Sequence, residues 1–235
     1  KTAVFPVAGF GTRVLPATKA FPKEMLPVVD KPLIHYAVEQ AVQAGIEKLV
    51  LVTGRNKQAM EDYFDIAYEL DRTLAERGKE DIRKSVREFL LEPGRIIYVR
   101  QMEPLGLGHA VWCARHLAGD GPFLVMSPDD LIMSDVPSAK QLIDAHEKTG
   151  GNVVAVMNVP REHTNRYGVL DTDNPDDKLP VVKGMVEKPD PKDAPSTLSI
   201  IAHYLLMPEV FDELARHERG ARNEIQLTDA MARLI

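Results

Sequence analysis

The sequence predicts an α/β fold with a mixed, mostly parallel central sheet covered by helices on both faces. Three observations predict it. Apolar runs of strand length alternate with helical spacing over the first half of the chain, the βαβα order of a parallel sheet. Several of those runs end in loops rich in glycine, amide or acid groups, at the strand ends where open α/β sheets collect ligands. From Tyr167 the pattern changes to short extended runs split by Asp-, Pro- and Asn-rich turns.

The elements follow in order. Ala3 to Val7 is an apolar run that reads as a buried strand and empties into Ala8-Gly9-Phe10-Gly11-Thr12-Arg13. Glycines two apart just past a strand let the backbone turn sharply and approach a ligand. Lys31 to Ala44 carries Leu33, Ile34, Ala37, Val38, Ala41 and Val42 at helical spacing, with Gly45 as the stop. Lys48 to Thr53 is a second buried strand, and Gly54-Arg55-Asn56 turns into a helix over Lys57 to Phe64. Ile66 to Leu91 is charged and helix-rich, broken at Gly78, and reads as a surface excursion. Ile96 to Arg100 is a third strand, Gly106 to Leu117 a helix, and Pro122 to Met126 a fourth strand ending at Ser127-Pro128-Asp129-Asp130. Ser138 to Lys148 is a helix and Val153 to Val159 a fifth strand. Tyr167 to Asp171, Val181 to Glu187 (a buried strand over Val181 to Val186) and Leu198 to Leu206 are extended, Asn174 to Lys178 is a loop tip, and Pro208 to His217 and Leu227 to Leu234 are closing helices.

With 235 residues, 44% hydrophobic and 27% charged, the chain suits one soluble globular domain. The expected division is a part of alternating strands and helices over residues 1–130 and a part richer in short extended runs over 131–235. The single cysteine, Cys113, allows no internal disulfide and fits a reducing, cytoplasmic setting. It reads as a small core hydrophobe, since no basic residue flanks it. No apolar run approaches the roughly 20 residues of a membrane span, and no signal peptide is visible. A net charge of −6 argues against nucleic acid as a partner. It also repels phosphate substrates, so local cations or a metal must overcome the global field.

The opening loop offers such cations in Arg13, Lys19 and Lys23, opposed nearby only by Glu24 and Asp30. Converging backbone N–H groups there could cradle phosphate. A dinucleotide fingerprint would need a third glycine where Val14 stands, and a P-loop would need Lys after Gly11. A glycine turn with solvated cations has the same pattern. Gln101, at a strand end before Gly106 and Gly108, has an amide that could read an imide edge such as uracil's, or could be solvated beside a helix cap. His109 has no metal-spaced partner and reads as a capping or structural histidine. Asp129 and Asp130 could hold Mg²⁺ against substrate phosphates or form a solvated acidic turn. Gly168, in Tyr167-Gly168-Val169, could let a sugar ring approach its backbone or could be an ordinary strand start. Glu187 could accept from sugar hydroxyls and Lys188 could balance a sugar phosphate, or the two are an exposed charge pair before Pro189.

The segments AGFGTRVLPATKAFPKEMLPVVDKPLI, QMEPLGLGHAVWCA, SPDDL, RYGVL, MVEKP and EIQLTDAM, in this order, resemble the bacterial UTP–glucose-1-phosphate uridylyltransferases of the sugar-nucleotide pyrophosphorylase group. The resemblance runs essentially end to end. It implies a Rossmann-like three-layer nucleotidyltransferase fold with a small β-rich sugar-binding part. It implies transfer of a uridylyl group from UTP to glucose 1-phosphate, giving UDP-glucose and pyrophosphate, in a homo-oligomer. Ala8, Gly9, Gly11, Thr12, Gln101 and Gly106 would hold the nucleotide, and Arg13, Lys23 and Lys188 would be catalytic. Gly168, Glu187 and Lys188 would hold the sugar phosphate, and Asp129 would bind Mg²⁺ with Asp130 behind it. Ala202-His203-Tyr204 stands where that family usually has Gly-Arg-Tyr, and Arg222-Asn223 replaces two glycines before Glu224. The family also continues some tens of residues past the position of Ile235, with a further metal-binding Asp there. A sister enzyme using dTTP or another sugar phosphate, or a non-catalytic sugar-nucleotide binder, shares these expectations in part.

Overall fold

The computed structural model describes residues 1–235. Its strands are β1 (Thr2–Pro6), β2 (Pro27–Val28), β3 (Lys31–Pro32), β4 (Lys48–Thr53), β5 (Ile96–Arg100), β6 (Phe123–Met126), β7 (Val153–Asn158), β8 (Gly168–Asp171), β9 (Gly184–Glu187) and β10 (Leu198–Leu206). Eight of them form one sheet in the order β5-β4-β1-β6-β10-β8-β9, with β7 also pairing with β10; β2 and β3 make a separate two-stranded ribbon. The pairs β5/β4, β4/β1 and β1/β6 are parallel, and every pair made by β10 is antiparallel. The later strands thus extend the sheet that β1 begins. The chain leaves β1 toward β4 and reaches its other neighbour, β6, only later. A crevice opens at such a switch point, outside the carboxyl ends of the strands.

Alternation along the strands divides the core. Val4, Val50, Val52 and Val125 face one side, where α5 (Leu107–Cys113), α8 (Val210–Leu214) and α9 (Leu227–Ala232) cover them with Val111, Leu214 and Leu227. Ala3, Phe5, Leu49, Leu51 and Met126 face the other, under α1 (Leu33–Gln43) and α7 (Ser138–Thr149), through Ile34, Val38 and Leu142. Three layers result, as a sheet with two apolar faces requires. The remaining helices are α2 (Gln58–Phe64), α3 (Tyr68–Glu76), α4 (Glu80–Arg87) and α6 (Arg115–Ala118). Helices α3 and α4 are the surface excursion, joined through Gly78 and tied by the Arg83 guanidinium donating to Asp71 at 3.0 and 3.2 Å.

Several boundaries differ from expectation. Helix α1 starts two residues late, because Lys31 and Pro32 pair with Val28 and Pro27. The expected single helix over 106–117 is two. Arg115 lays its guanidinium over the Trp112 ring at 3.6 Å and donates to the Trp112 carbonyl at 3.2 Å, beside the break at Ala114. The run from Val181 is not a buried strand: pairing begins at Gly184, and Val181 and Val186 are exposed, because β9 is an edge strand bonded to β8 alone. The last helices are shorter than the apolar spacing suggests, and beyond α8 the chain turns off at His217, with φ 52°.

Candidate active site

The loop after β1 closes on its own later residues. Gly11 has φ 66°, and a Cβ added there would lie 3.1 Å from both Lys23 Cβ and Thr18 Cγ2. The Thr18 hydroxyl donates to the Gly11 carbonyl at 2.8 Å. So Gly11 is the turn, and its place in the sequence is set by the side chains folded over it. Gly9 plays a different part: an added Cβ there meets only Lys23 Cε, at 3.9 Å, so its backbone is open to a ligand. Ala8 precedes it, and Thr12 and Arg13 continue into a short 3₁₀ turn. Gly9, Phe10, Lys19 and Arg55 line one hollow beside this loop. Arg55, which sequence reasoning left in a turn, adds a cation there.

Lys23 begins another 3₁₀ turn and reaches across to the end of β6, where its Nζ lies 2.5 Å from Asp129 Oδ2. Arg13 Nη2 is 4.0 Å from the same oxygen, on a side chain left mostly in solvent. The Ser127 hydroxyl donates to Asp129 Oδ1 at 3.0 Å. Burial alone would raise the Asp129 pKa, but Lys23 and Ser127 outweigh it and hold the carboxyl below its usual 3.8. The neighbouring Asp130 goes the other way, pushed up by burial and by Asp129, although Ala202 N–H donates to its Oδ2 at 2.8 Å. The two acids therefore differ: Asp129 is ionised and faces the cations, while Asp130 ties the loop to β10. Asp129 already holds a cationic ammonium, which fits it to a metal. No three His, Cys, Asp or Glu side chains converge on one point. A single carboxylate suits Mg²⁺, which keeps waters and completes its shell with substrate phosphates.

Glu24 does oppose Lys23, as the sequence suggested, but its closer partner is a second lysine from far along the chain. Glu24 is fully buried, and Lys57 Nζ donates to its Oε2 at 2.7 Å from another fully enclosed side chain. Burial pushes the Glu24 carboxyl up and the Lys57 ammonium down, and each charge restrains the other's shift. Glu24 Oε1 has no hydrogen-bond partner and sits 4.0 Å from Lys23 Nζ. The pair anchors the turn that carries Lys23, and nothing local in the sequence marks residues 24 and 57 as partners.

On the other side of β4, the Gln101 amide N–H donates to the Thr53 carbonyl at 2.9 Å, extending the β5 ladder by one residue. Its side-chain Nε2 lies 3.1 Å from the Gly106 carbonyl and 3.0 Å from His109 Nδ1. His109 is therefore a partner of Gln101 and not a helix cap. Gly106, at φ 111°, precedes α5, and a Cβ there would lie 2.8 Å from Glu224 Cβ and from the Ile225 carbonyl. Ile225 N–H donates to Leu105 O at 2.7 Å and Gly108 N–H to Ile225 O at 2.9 Å. Cys113 is half-buried with its thiol pKa raised by burial, which leaves it an inert packing residue.

Gly168 and Glu187 are opposite each other across β8 and β9. Glu187 Oε2 accepts from the Thr228 hydroxyl at 2.7 Å, its Oε1 from Lys188 Nζ, and Lys188 N–H donates to Tyr167 O at 2.9 Å. Thr228, from the last helix, was not singled out in the sequence. Glu187 and Asp130 both raise the phenol pKa of Tyr204, whose larger cause is burial, so this cluster and the Asp129 loop both lie near one side chain.

Strand β10 shifts register against β7 between Ile201 and Tyr204, and its Ala202 carbonyl accepts from Ser127 N–H at 2.9 Å instead. Such irregularities re-aim a strand next to a site. His203 at this point is enclosed. Gln40 donates through Nε2 to Ile132 O at 2.6 Å, so its Oε1 must accept the Ser138 hydroxyl hydrogen at 2.9 Å. Ser138 Oγ then accepts from His203 Nδ1 at 2.8 Å, and His203 Nε2 is left buried without a partner.

Compared with known proteins, residues 3–235 match the family model described as nucleotidyl transferase. A UTP–glucose-1-phosphate uridylyltransferase of Komagataeibacter xylinus is 52% identical over 235 residues, all of this chain and 83% of the relative. One from Bacillus subtilis (strain 168) is 49% identical over 234 residues, 80% of its length. Among solved structures, a UDP-glucose pyrophosphorylase complexed with UDP-glucose superposes with TM-score 0.85 at 43% identity, covering all of this chain and 86% of that one. A UTP-bound enzyme from Acinetobacter baumannii superposes with TM-score 0.90 at 40% identity, covering all of this chain and 82% of that one.

Proposed function

This chain belongs to the nucleotidyl transferase family, and from that premise we propose that it transfers a uridylyl group from UTP to glucose 1-phosphate, giving UDP-glucose and pyrophosphate. One observation carries the reading to the residues: Lys23, Arg13 and Asp129 meet outside the carboxyl ends of β1 and β6, within 4.0 Å of one carboxylate oxygen.

A phosphate oxygen of glucose 1-phosphate attacks the α-phosphorus of UTP in line. The bond from that phosphorus to the bridging oxygen breaks, and pyrophosphate leaves with the electron pair. No general base is needed, since the attacking phosphate is ionised at neutral pH. Positioning and charge stabilisation do the remaining work. Arg13 and Lys23 neutralise the charge gathering on the leaving pyrophosphate. The backbone from Ala8 through Thr12, open at Gly9, takes the phosphates, and Gln101 with Gly106 takes the base. Gly168 and Glu187 hold the sugar, and Lys188 orients its phosphate. Mg²⁺, held by Asp129, would supply charge neutralisation between the phosphates. The acting form is a cytoplasmic homo-oligomer.

The test is pyrophosphate release from UTP plus glucose 1-phosphate, with and without Mg²⁺. Release that needs both substrates and the metal supports the reading. No release under any of these conditions refutes it.

A further inference from the structure

We propose that His109 is a positioning residue that fixes the Gln101 amide with its oxygen toward the nucleotide base, so that the site accepts uracil and rejects cytosine. This rests on the uridylyl-transfer reading and adds the device that makes it base-selective.

The argument is one of hydrogen counting. The Gly106 carbonyl can only accept, so the Gln101 atom 3.1 Å from it is the amide nitrogen. That nitrogen has two hydrogens and no lone pair to offer. His109 Nδ1, 3.0 Å from the same atom, must therefore accept the second hydrogen, which makes His109 the neutral tautomer protonated at Nε2. Both donors are then consumed within the protein. Only Oε1 is left, and it is an acceptor.

Uracil presents an N3–H donor between two carbonyls. Cytosine presents a bare N3 acceptor at the same place. An amide oxygen pairs with the first and opposes the second. An amide free to turn over would serve either base. Two anchors on one nitrogen prevent that, because a flipped amide would bring its oxygen against the Gly106 carbonyl and the His109 lone pair together.

The surroundings keep His109 in the required state. Its ring is buried, stacked on Trp112 with centroids 5.9 Å apart, and edge-on to His217 at 5.8 Å. Burial and His217 hold its pKa below the usual value, with Glu103 pulling the other way, so the ring is neutral at neutral pH and one nitrogen is left to accept, the Gln101 contacts making that nitrogen Nδ1.

The experiment compares UTP and CTP binding by calorimetry in the native chain, in His109→Phe and in His109→Asn, each checked for folding by circular dichroism. Phenylalanine keeps the stack on Trp112 and removes the acceptor. Asparagine can place Oδ1 where Nδ1 stood. The native chain should prefer UTP by at least about tenfold, as expected of a site built around one donor–acceptor pair. His109→Phe should reduce the UTP/CTP affinity ratio by about tenfold, the scale of leaving one buried polar group unpaired. His109→Asn should stay within about threefold of the native ratio. An unchanged ratio in His109→Phe overturns the proposal, as does an equal loss in both variants or a native chain that does not discriminate. Binding is measured without turnover, so UTP binding with no pyrophosphate release would refute uridylyl transfer while the ratios still decide the role of His109.

Discussion

Mild acid should destabilise this protein through one enclosed histidine. Ser138 occupies His203 Nδ1, and Nε2 makes no hydrogen bond, so a second proton would put a poorly compensated charge beside β6. Burial accordingly lowers the His203 pKa from 6.5 to about 4, with a weaker opposing pull from the Ser127 backbone. The unfolded chain takes up this proton below pH 6.5 and the folded chain does not. A depressed histidine pKa thus removes stability as pH falls through that window. At 1.36 kcal/mol per pKa unit the full cost is about 3 kcal/mol, of which about 2 kcal/mol is lost between pH 7 and pH 5. That corresponds to a fall in Tm of roughly 4–8 °C for a chain of this size. Urea unfolding at a series of pH values should show a shallower slope in His203→Gln, which has no proton to gain. If the native chain and His203→Gln lose equal stability between pH 7 and pH 5, the reasoning fails.

Three further outcomes follow from the site. Arg13→Ala should lower kcat by about 10²–10³-fold with little change in stability, since its side chain is mostly in solvent; unchanged turnover in a pyrophosphate assay would remove Arg13 from the mechanism. Asp129→Asn should weaken the Mg²⁺ dependence of turnover, and it should also remove the part of acid sensitivity that appears as pH falls from 3.8 through the depressed native pKa; an unaltered Mg²⁺ titration would exclude Asp129 as the ligand. Lys57→Met should cost about 3–5 kcal/mol in urea unfolding, because Glu24 stays buried without its cation, whereas joining it to Glu24→Leu should recover most of the loss; equal losses in the single and double variants would show that the ion pair is not the cause.

The sequence made β1, β4 and β6 legible because buried parallel strands are continuous apolar runs, and their ends located the loops at Gly9–Arg13 and Asp129. Gln101, Glu187 and Lys188 stood at strand ends but were singled out by the family resemblance, since the residues alone suited a solvated amide and an exposed charge pair equally well. Partnerships across the chain were not legible. Glu24 and Lys57 are 33 residues apart, and their pairing depends on how the Lys23 turn meets α2. Gln101 and His109 are close in sequence, yet their contact needs the chain to double back at Gly106, which periodicity does not report. Thr228 meets Glu187 only because α9 folds under β9. The edge position of β9 likewise depends on sheet order, which an apolar run does not report.

Residue 225 fastens the turn beside Gln101 to the segment that leads into α9. Its amide and carbonyl are both bonded to the turn at Leu105–Gly108, and three residues later Thr228 touches the carboxylate beside the expected glucose. A shift of this short segment when one compartment fills would be felt mechanically in the other. Loosening residues 221–223 should therefore disturb the Leu105–Gly108 turn and the Thr228–Glu187 contact together.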